Sequence, residues 1–117
     1  MFIPKDQMKP EIRTEMRGGK GNVELLHILG EDGLNQRGRL FVEITLEPGC
    51  SIGYHEHHGE SEIFYILQGQ GIVSDNGTPV SVKAGDCAIC QDGQGHSIEN
   101  TGNEMLRFMA LIIFAGN

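Results

Sequence analysis

Short apolar runs separated by glycine-containing turns are the feature that most restricts how this chain can fold. The turns have suitable chemistry, as in Asp75-Asn76-Gly77, where Asn-Gly favours a tight hairpin. No helical periodicity of useful length appears, apart from a turn of helix expected around Pro10 to Met16. Many short strands with few helices predict an antiparallel sandwich or barrel. The predicted strands cover residues 22–29, 39–46, 52–57, 62–67, 71–75, 79–83, 87–90, 96–100 and 106–114.

The length and charge of the chain limit the functions open to it. A chain of 117 residues is expected to form one domain, residues 1–117. Its 9 Lys and Arg against 16 Asp and Glu give a formal net charge of -7, which repels phosphate backbones and anionic lipid surfaces. The longest apolar run, 108–115, is far shorter than the roughly 18 residues that cross a bilayer. We therefore expect a cytoplasmic protein that binds neither nucleic acid nor membranes.

We expect no disulfide framework among the three cysteines, because their number is odd and no export signal is evident. Cys87 and Cys90 form a C-x-x-C pair, which could indicate a redox or zinc site. A zinc site of that type needs a second Cys or His pair at matching spacing, and none follows. We therefore expect reduced thiols packed as small apolar side chains.

Histidines and a glutamate after residue 49 are candidate metal ligands. His55 and His57 are two residues apart, so on a strand their imidazoles point to the same face. Glu62 begins the next predicted strand, and an antiparallel return brings its carboxylate back toward them. His96 is distant in sequence, and a small closed barrel is the geometry that could bring it alongside. Three imidazoles and one carboxylate suit one divalent ion of Mn, Fe, Ni, Co, Cu or Zn.

Other polar residues in the same stretch are better explained as surface groups. By strand alternation His58 points away from His57, and His27 lies on a separate strand, so we expect both outside the metal site. Glu60 is the nearest unassigned carboxylate, and we expect it to lie in a solvated turn.

Two spaced motifs resemble those of the cupin family. The first, residues 49–69, has Gly49, five residues, His55, one residue, His57, four residues, Glu62, six residues and Gly69. The second, residues 85–100, has Gly85, five residues, Gln91, one residue, Gly93, two residues, His96, three residues and Asn100. The family usually has proline where this chain has Gln91, a difference that concerns a turn at a strand end.

The resemblance implies an all-β fold, the double-stranded β-helix or jelly-roll barrel. It also implies a divalent metal held by His55, His57, Glu62 and His96, the residues that strand alternation had already indicated. Single-domain cupins commonly pair, so a homodimer is expected, which would also cover exposed strand edges.

The residues predicted to line the barrel around the metal are those in phase with its ligands. Phe64 and Ile66 follow Glu62 on one face, and Tyr54 precedes His55. On the last strand, Arg107 and Met109 share a face; if that face lines the barrel, Arg107 could pair with a ligand carboxylate. The alternative is that Arg107 lies outside the barrel.

Fold and metal do not determine a reaction, because similar barrels support many activities. The sequence favours a metal-binding cupin that binds or acts on a small organic metabolite, with a carboxylate as one candidate group. If the protein is an enzyme, the resemblance implies a metal-dependent dioxygenase, decarboxylase or isomerase. The alternative is a non-catalytic module that senses a small molecule or sugar.

Overall fold

The computed structural model describes residues 1–116, which form ten β-strands and two short 3-10 turns. The turns are Lys5–Gln7 and Met16–Gly18. The strands are β1 (Lys9–Thr14), β2 (Asn22–Leu29), β3 (Gly38–Leu46), β4 (Ser51–Glu56), β5 (Glu60–Gln68), β6 (Gln70–Asp75), β7 (Thr78–Lys83), β8 (Cys87–Cys90), β9 (Gly95–Glu99) and β10 (Leu106–Phe114). In the described part of the chain, no helix is long and apolar enough to cross a membrane.

The strands form two antiparallel sheets packed face to face. One has six strands in the order β1-β2-β3-β10-β5-β8, and the other has four in the order β4-β9-β6-β7. Because β4 pairs with β9 while β5 pairs with β10 and β8, consecutive strands alternate between the two sheets from β3 to β6 and again from β7 to β10. This is a double-stranded β-helix, so the prediction of a jelly-roll barrel is confirmed.

The core lies between the sheets and follows from alternation along each strand. On β10, every second side chain from Leu106 to Ile112 is buried, while those between them are partly exposed. Each strand except β1 therefore contributes apolar side chains to the core, and burying them is the main driving force for folding. The buried apolar side chains include Val23, Leu25, Val42, Ile44, Leu46, Ile52, Phe64, Ile66, Val73, Ile98, Leu106, Phe108 and Ala110.

Two residues of the sequence motifs, Gly69 and Asn100, hold loops in place outside the barrel interior. Gly69 has φ +85°, and a Cβ there would collide with the carbonyl oxygen of Met105. The buried Asn100 amide donates to the carbonyl oxygens of Leu46 (2.8 Å) and Glu104 (2.7 Å). These motif positions therefore serve the fold by joining loops, rather than the chemistry of the barrel interior.

The expected helical turn around Pro10 to Met16 is wrong for most of its length. Residues 9–14 form β1, which pairs with β2 in register from Lys9 opposite His27 to Thr14 opposite Asn22. The strand lies at the edge of its sheet, where proline is tolerated because one side of the backbone needs no partner. Only Met16 enters a helical turn, the 3-10 turn that follows.

Candidate metal centre

Four side chains from different parts of the chain meet between the two sheets near one end of the barrel. His55 lies on β4, His57 just after it, Glu62 on β5 and His96 on β9. One nitrogen or oxygen atom from each lies within 4.8 Å of those of the other three. We call these residues the histidine–glutamate cluster. His57, Glu62 and His96 are buried, and His55 is partly buried.

Hydrogen bonds on the outer side of the rings orient two imidazoles toward the centre of the cluster. His55 Nδ1 lies 2.8 Å from the carbonyl oxygen of Gly53, and His57 Nδ1 lies 2.6 Å from a carboxylate oxygen of Glu60. Both partners accept hydrogen bonds, so in a neutral ring the proton is on Nδ1 and Nε2 carries a lone pair. The Nε2 atoms of both rings therefore offer lone pairs to the centre of the cluster.

The inner distances fit ligands that share one ion. His57 Nε2 lies 3.1 Å from His96 Nε2, and the two nitrogens lie 3.0 and 2.9 Å from the same oxygen of Glu62. Ligand atoms about 2.1 Å from one metal, at right angles, are about 3 Å apart. Several lone pairs facing each other in a buried space need a cation or protons to satisfy them. The cluster could thus hold a divalent transition metal, with imidazole and carboxylate as suitable donors.

Burial and hydrogen bonding act in opposite directions on the ionisation of the cluster. Burial opposes the charge on Glu62, but hydrogen bonding with His57 and His96, together with the nearby His55 imidazole, outweighs it and holds the pKa of this carboxyl far below its usual range. The hydrogen bond to Glu62, together with that to Glu60, raises the pKa of His57 despite its burial. Burial lowers the pKa of His96, which favours the neutral ring that a metal requires.

Glu60 links the cluster to β3, and the prediction that it lies in a solvated turn is wrong. It begins β5, its side chain is only 13% exposed, and it accepts two hydrogen bonds from Arg39, at 2.7 and 2.8 Å. The Arg39 guanidinium holds the pKa of Glu60 below its usual range, with the His57 hydrogen bond adding to the effect. Alternation could have shown this position, since Glu60 and Glu62 lie on the same face of β5.

Three of the four cluster residues, His55, His57 and Glu62, form one wall of a cavity of about 40 Å³. Three arginines line it: Arg13 from β1, Arg17 from the Met16–Gly18 turn and Arg39 from β3. A wider surface cleft of about 440 Å³ elsewhere contains none of the cluster residues. The remaining walls of the cavity are apolar and consist of Met16, Leu25, Leu40, Ile44, Ile52 and Ile112.

Comparison with known proteins agrees with this geometry. The family model for the cupin domain matches residues 42–114, which include the whole histidine–glutamate cluster. The chain belongs to the cupin family.

Two matches cover almost the whole of this cupin. It is 48% identical over 113 residues to an oxalate-binding protein of Thermotoga maritima, across 97% of this chain and 93% of the relative. The crystal structure of a predicted oxalate decarboxylase from Thermotoga maritima superposes with a TM-score of 0.94 at 47% identity, across 98% of this cupin and 100% of that chain. A putative sugar phosphate isomerase from Acidithiobacillus ferrooxidans shares only the fold, with a TM-score of 0.74 at 24% identity, across 97% of this cupin and 75% of that chain.

Two of the predicted pocket residues of this cupin face the barrel interior. The Phe64 ring stacks on the His96 ring, with centroids 4.7 Å apart and planes 12° apart. Ile66 is buried one step deeper along β5. Phe64 thus packs behind a cluster histidine, whereas Ile66 belongs to the core. A role for either of them in binding a ligand stays a prediction.

Three predicted pocket residues lie on the outer face, which corrects the prediction that they line the barrel. Tyr54 is 49% exposed and packs over Gly95, where a Cβ would collide with its hydroxyl. Arg107 and Met109 are partly exposed, and Arg107 forms an ion pair with Glu43 on the neighbouring strand. For Arg107 and Met109 the reason is the phase of β10, whose inward face is formed by Leu106, Phe108, Ala110 and Ile112.

The remaining histidines and cysteines of this cupin lie outside the cluster. His58 is exposed beside Glu56, and His27 contacts Glu11 on β1, as expected for residues outside the metal site. All three cysteines are free; Cys90 is buried, and burial raises its pKa to about 11, which leaves it a poor nucleophile. The homodimer stays a prediction.

Proposed function

We propose that this cupin binds a small dicarboxylate of the oxalate type through a divalent metal held by the histidine–glutamate cluster. The observation that carries this proposal is the composition of one small cavity, which combines three of the four cluster residues with Arg13, Arg17 and Arg39. Metal and guanidinium are the two groups that bind carboxylates most strongly in proteins.

Charge supports an anionic ligand. The chain has a formal net charge of -7, yet three of its 9 Lys and Arg line this cavity. Among the residues that line it, Glu62 is the one carboxylate, and its hydrogen bonds are directed to the cluster histidines. Glu11 and Glu60 pair with Arg13 and Arg39, so Arg17 and a bound divalent ion would supply the positive charge that attracts an anion.

Size supports a ligand as small as oxalate. A cavity of about 40 Å³ has room for about three water molecules, since a cavity needs roughly 10–15 Å³ for each of them. A ligand of that size would replace these waters and touch both the cluster and the arginines. The similarity to an oxalate-binding protein at 48% identity also supports this assignment.

The cluster, the apolar wall and the arginines would each have a separate role in binding the ligand. Three imidazoles and Glu62 would hold the ion, and the buried aliphatic wall would exclude bulk water from the ligand. A bound divalent ion would supply a Lewis acid for a carboxylate oxygen. Guanidinium groups would form ion pairs and hydrogen bonds with the ligand carboxylate that the ion does not bind.

A second candidate function is decarboxylation of the same ligand, favoured by the 47% identity to a predicted oxalate decarboxylase. In this reaction the C–C bond of hydrogen oxalate breaks and carbon dioxide leaves. The electron pair stays on the carbon that becomes formate, and the proton is transferred to that carbon. Formate produced by the loaded wild-type protein, and not by His57→Ala, would support catalysis.

Calorimetry tests the proposed binding. Protein stripped with a chelator and reloaded with Mn²⁺ is titrated with oxalate, and heat release with one oxalate per chain is expected. His57→Ala removes a donor of the cluster and should lower the oxalate affinity by at least about 100-fold, with the strand spectrum in circular dichroism unchanged. Equal affinity with and without metal, or no binding by the loaded protein, would contradict the proposal.

A further inference from the structure

We propose that Arg17 is a specificity-determining residue that binds the carboxylate group farther from the metal, so that the cavity prefers dianions to monoanions. This inference rests on the proposed function and goes beyond it, because it assigns the second half of the ligand to one side chain. Three features support it: the position of the Met16–Gly18 turn, its attachment to β4, and the different hydrogen bonding of the three arginines.

The turn is packed against β4 with no space between the two backbones. A Cβ at Gly53 would collide with the carbonyl oxygen of Arg17, and one at Gly19 would collide with that of Ser51. Beside this contact, the Lys20 amide donates to the Ser51 hydroxyl at 2.9 Å, and the Ser51 amide donates to the Lys20 carbonyl at 2.8 Å. Close backbone packing of this kind fixes the turn relative to the strand.

The same strand positions a cluster histidine. Gly53, which contacts the turn, also accepts the hydrogen bond from His55 Nδ1 at 2.8 Å. The direction of the His55 ring and the location of Arg17 therefore depend on one residue. A ligand spanning the cavity would meet a metal donor and a guanidinium that are held by a common support.

The backbone conformation of the turn is unusual for its residues. Glu15 and Arg17 both adopt the left-handed region, with φ of 52° and 56°. Non-glycine residues rarely adopt this region, and strained residues of this kind cluster at binding sites. Here the conformation turns the chain so that Arg17 lines the cavity.

The three arginines differ in what their guanidinium groups already bind. Arg13 makes two hydrogen bonds to Glu11, and Arg39 makes two to Glu60. Arg17 makes no side-chain hydrogen bond to any residue within 1–116, the part of the chain that the structure describes. Its planar set of donors is therefore available for a carboxylate, which arginine can bind through two parallel hydrogen bonds.

The test compares Arg17→Gln with Arg37→Gln, which makes the same charge change at a second exposed arginine, one that does not line the cavity. Each variant is loaded with Mn²⁺ and titrated with oxalate and with acetate, which has one carboxylate. Arg17→Gln should lower the oxalate affinity by about tenfold or more, acetate affinity by much less, and Mn²⁺ affinity not at all. Arg37→Gln should bind like wild type. Arg17→Lys, which keeps the charge without the planar donors, should give an intermediate oxalate affinity.

The outcomes separate this inference from the proposed function. If the loaded wild-type protein binds oxalate and both Arg17 variants keep the wild-type ratio of oxalate to acetate affinity, the role of Arg17 is wrong while the metal-dependent binding stands. If the loaded wild-type protein binds neither anion, both proposals are wrong. If Arg17→Gln does not fold, Arg17→Lys is the test. A lower ratio of oxalate to acetate affinity than in the wild type supports the role of Arg17, and the wild-type ratio contradicts it.

Discussion

At the scale of single residues, Glu60 connects the outside of the barrel to the histidine–glutamate cluster. Its carboxylate accepts hydrogen bonds from Arg39 on one side and holds Nδ1 of His57 on the other. It does not point into the centre of the cluster, so its effect on a metal would be indirect. A carboxylate in this position fixes the ring orientation and makes the opposite nitrogen a stronger donor.

We predict that Glu60→Gln lowers metal affinity by about 10- to 100-fold while leaving the barrel folded. An amide is less able than a carboxylate to hold the His57 Nδ1 proton, and it breaks the ion pair with Arg39. Competition with a chelator of known affinity measures the effect for Zn²⁺ or Mn²⁺. The matched control is Glu56→Gln, because Glu56 is exposed and its carboxylate pairs with the exposed His58, outside the cluster. Equal metal affinity in the two variants would contradict the prediction.

The sequence predicted a site residue well where a short local pattern indicates it, and poorly where no such pattern exists. His55, His57 and Glu62 are close together, and a period of two shows which of them share a face. The arginines of the cavity are far apart at positions 13, 17 and 39, and no short pattern connects them. Arg107 was placed wrongly for a different reason: alternation predicts the two faces of a strand but does not show which face lies inside the barrel.

At the scale of elements, the contact between the Met16–Gly18 turn and β4 is one of backbone against backbone. No side chain separates Gly53 from the carbonyl oxygen of Arg17. A sequence pattern based on apolar periodicity does not detect such a contact, because glycine contributes nothing to it. The failure to predict β1 has a related cause: none of its side chains is buried in the core, so the strand depends on pairing with β2.

We predict that Gly53→Ala destabilises the protein by about 1–3 kcal/mol, because the new methyl group must displace the turn. The shift in the midpoint of urea unfolding measures this loss, and faster amide hydrogen exchange at residues 15–19 would locate it. Gly30→Ala serves as the control, since a Cβ at Gly30 meets nothing within 4 Å. Similar midpoints for both variants would show that the turn is not held by this contact.

At the scale of the whole molecule, the barrel was the most predictable feature. Nine of the ten strands lie within two residues of their predicted bounds, because regular alternation and glycine turns recur along the chain. The way the strands divide into two sheets cannot be seen in any one of them. The spaced motifs supplied that information, since they resemble a family with a known arrangement.

We predict that metal binding raises the thermal stability of the whole barrel. An ion at 100 times its dissociation constant adds about 2.7 kcal/mol to the free energy of unfolding if it binds only the folded state. For a chain of this length the Tm should rise by about 10 °C. Differential scanning calorimetry with Mn²⁺ and with a chelator measures the difference, and His57→Ala should abolish it. An unchanged Tm in the wild-type protein would argue against the site.

The position of the cluster between the sheets has a mechanical consequence. Glu62 belongs to the six-stranded sheet, whereas His55 and His96 belong to the four-stranded sheet. A bound ion would therefore act as a reversible cross-link between the two layers and between chain positions 55 and 96, comparable to a disulfide that closes a long loop. In a protein whose cysteines are all free, the layers would be fastened by coordination bonds that can be made and broken without redox chemistry.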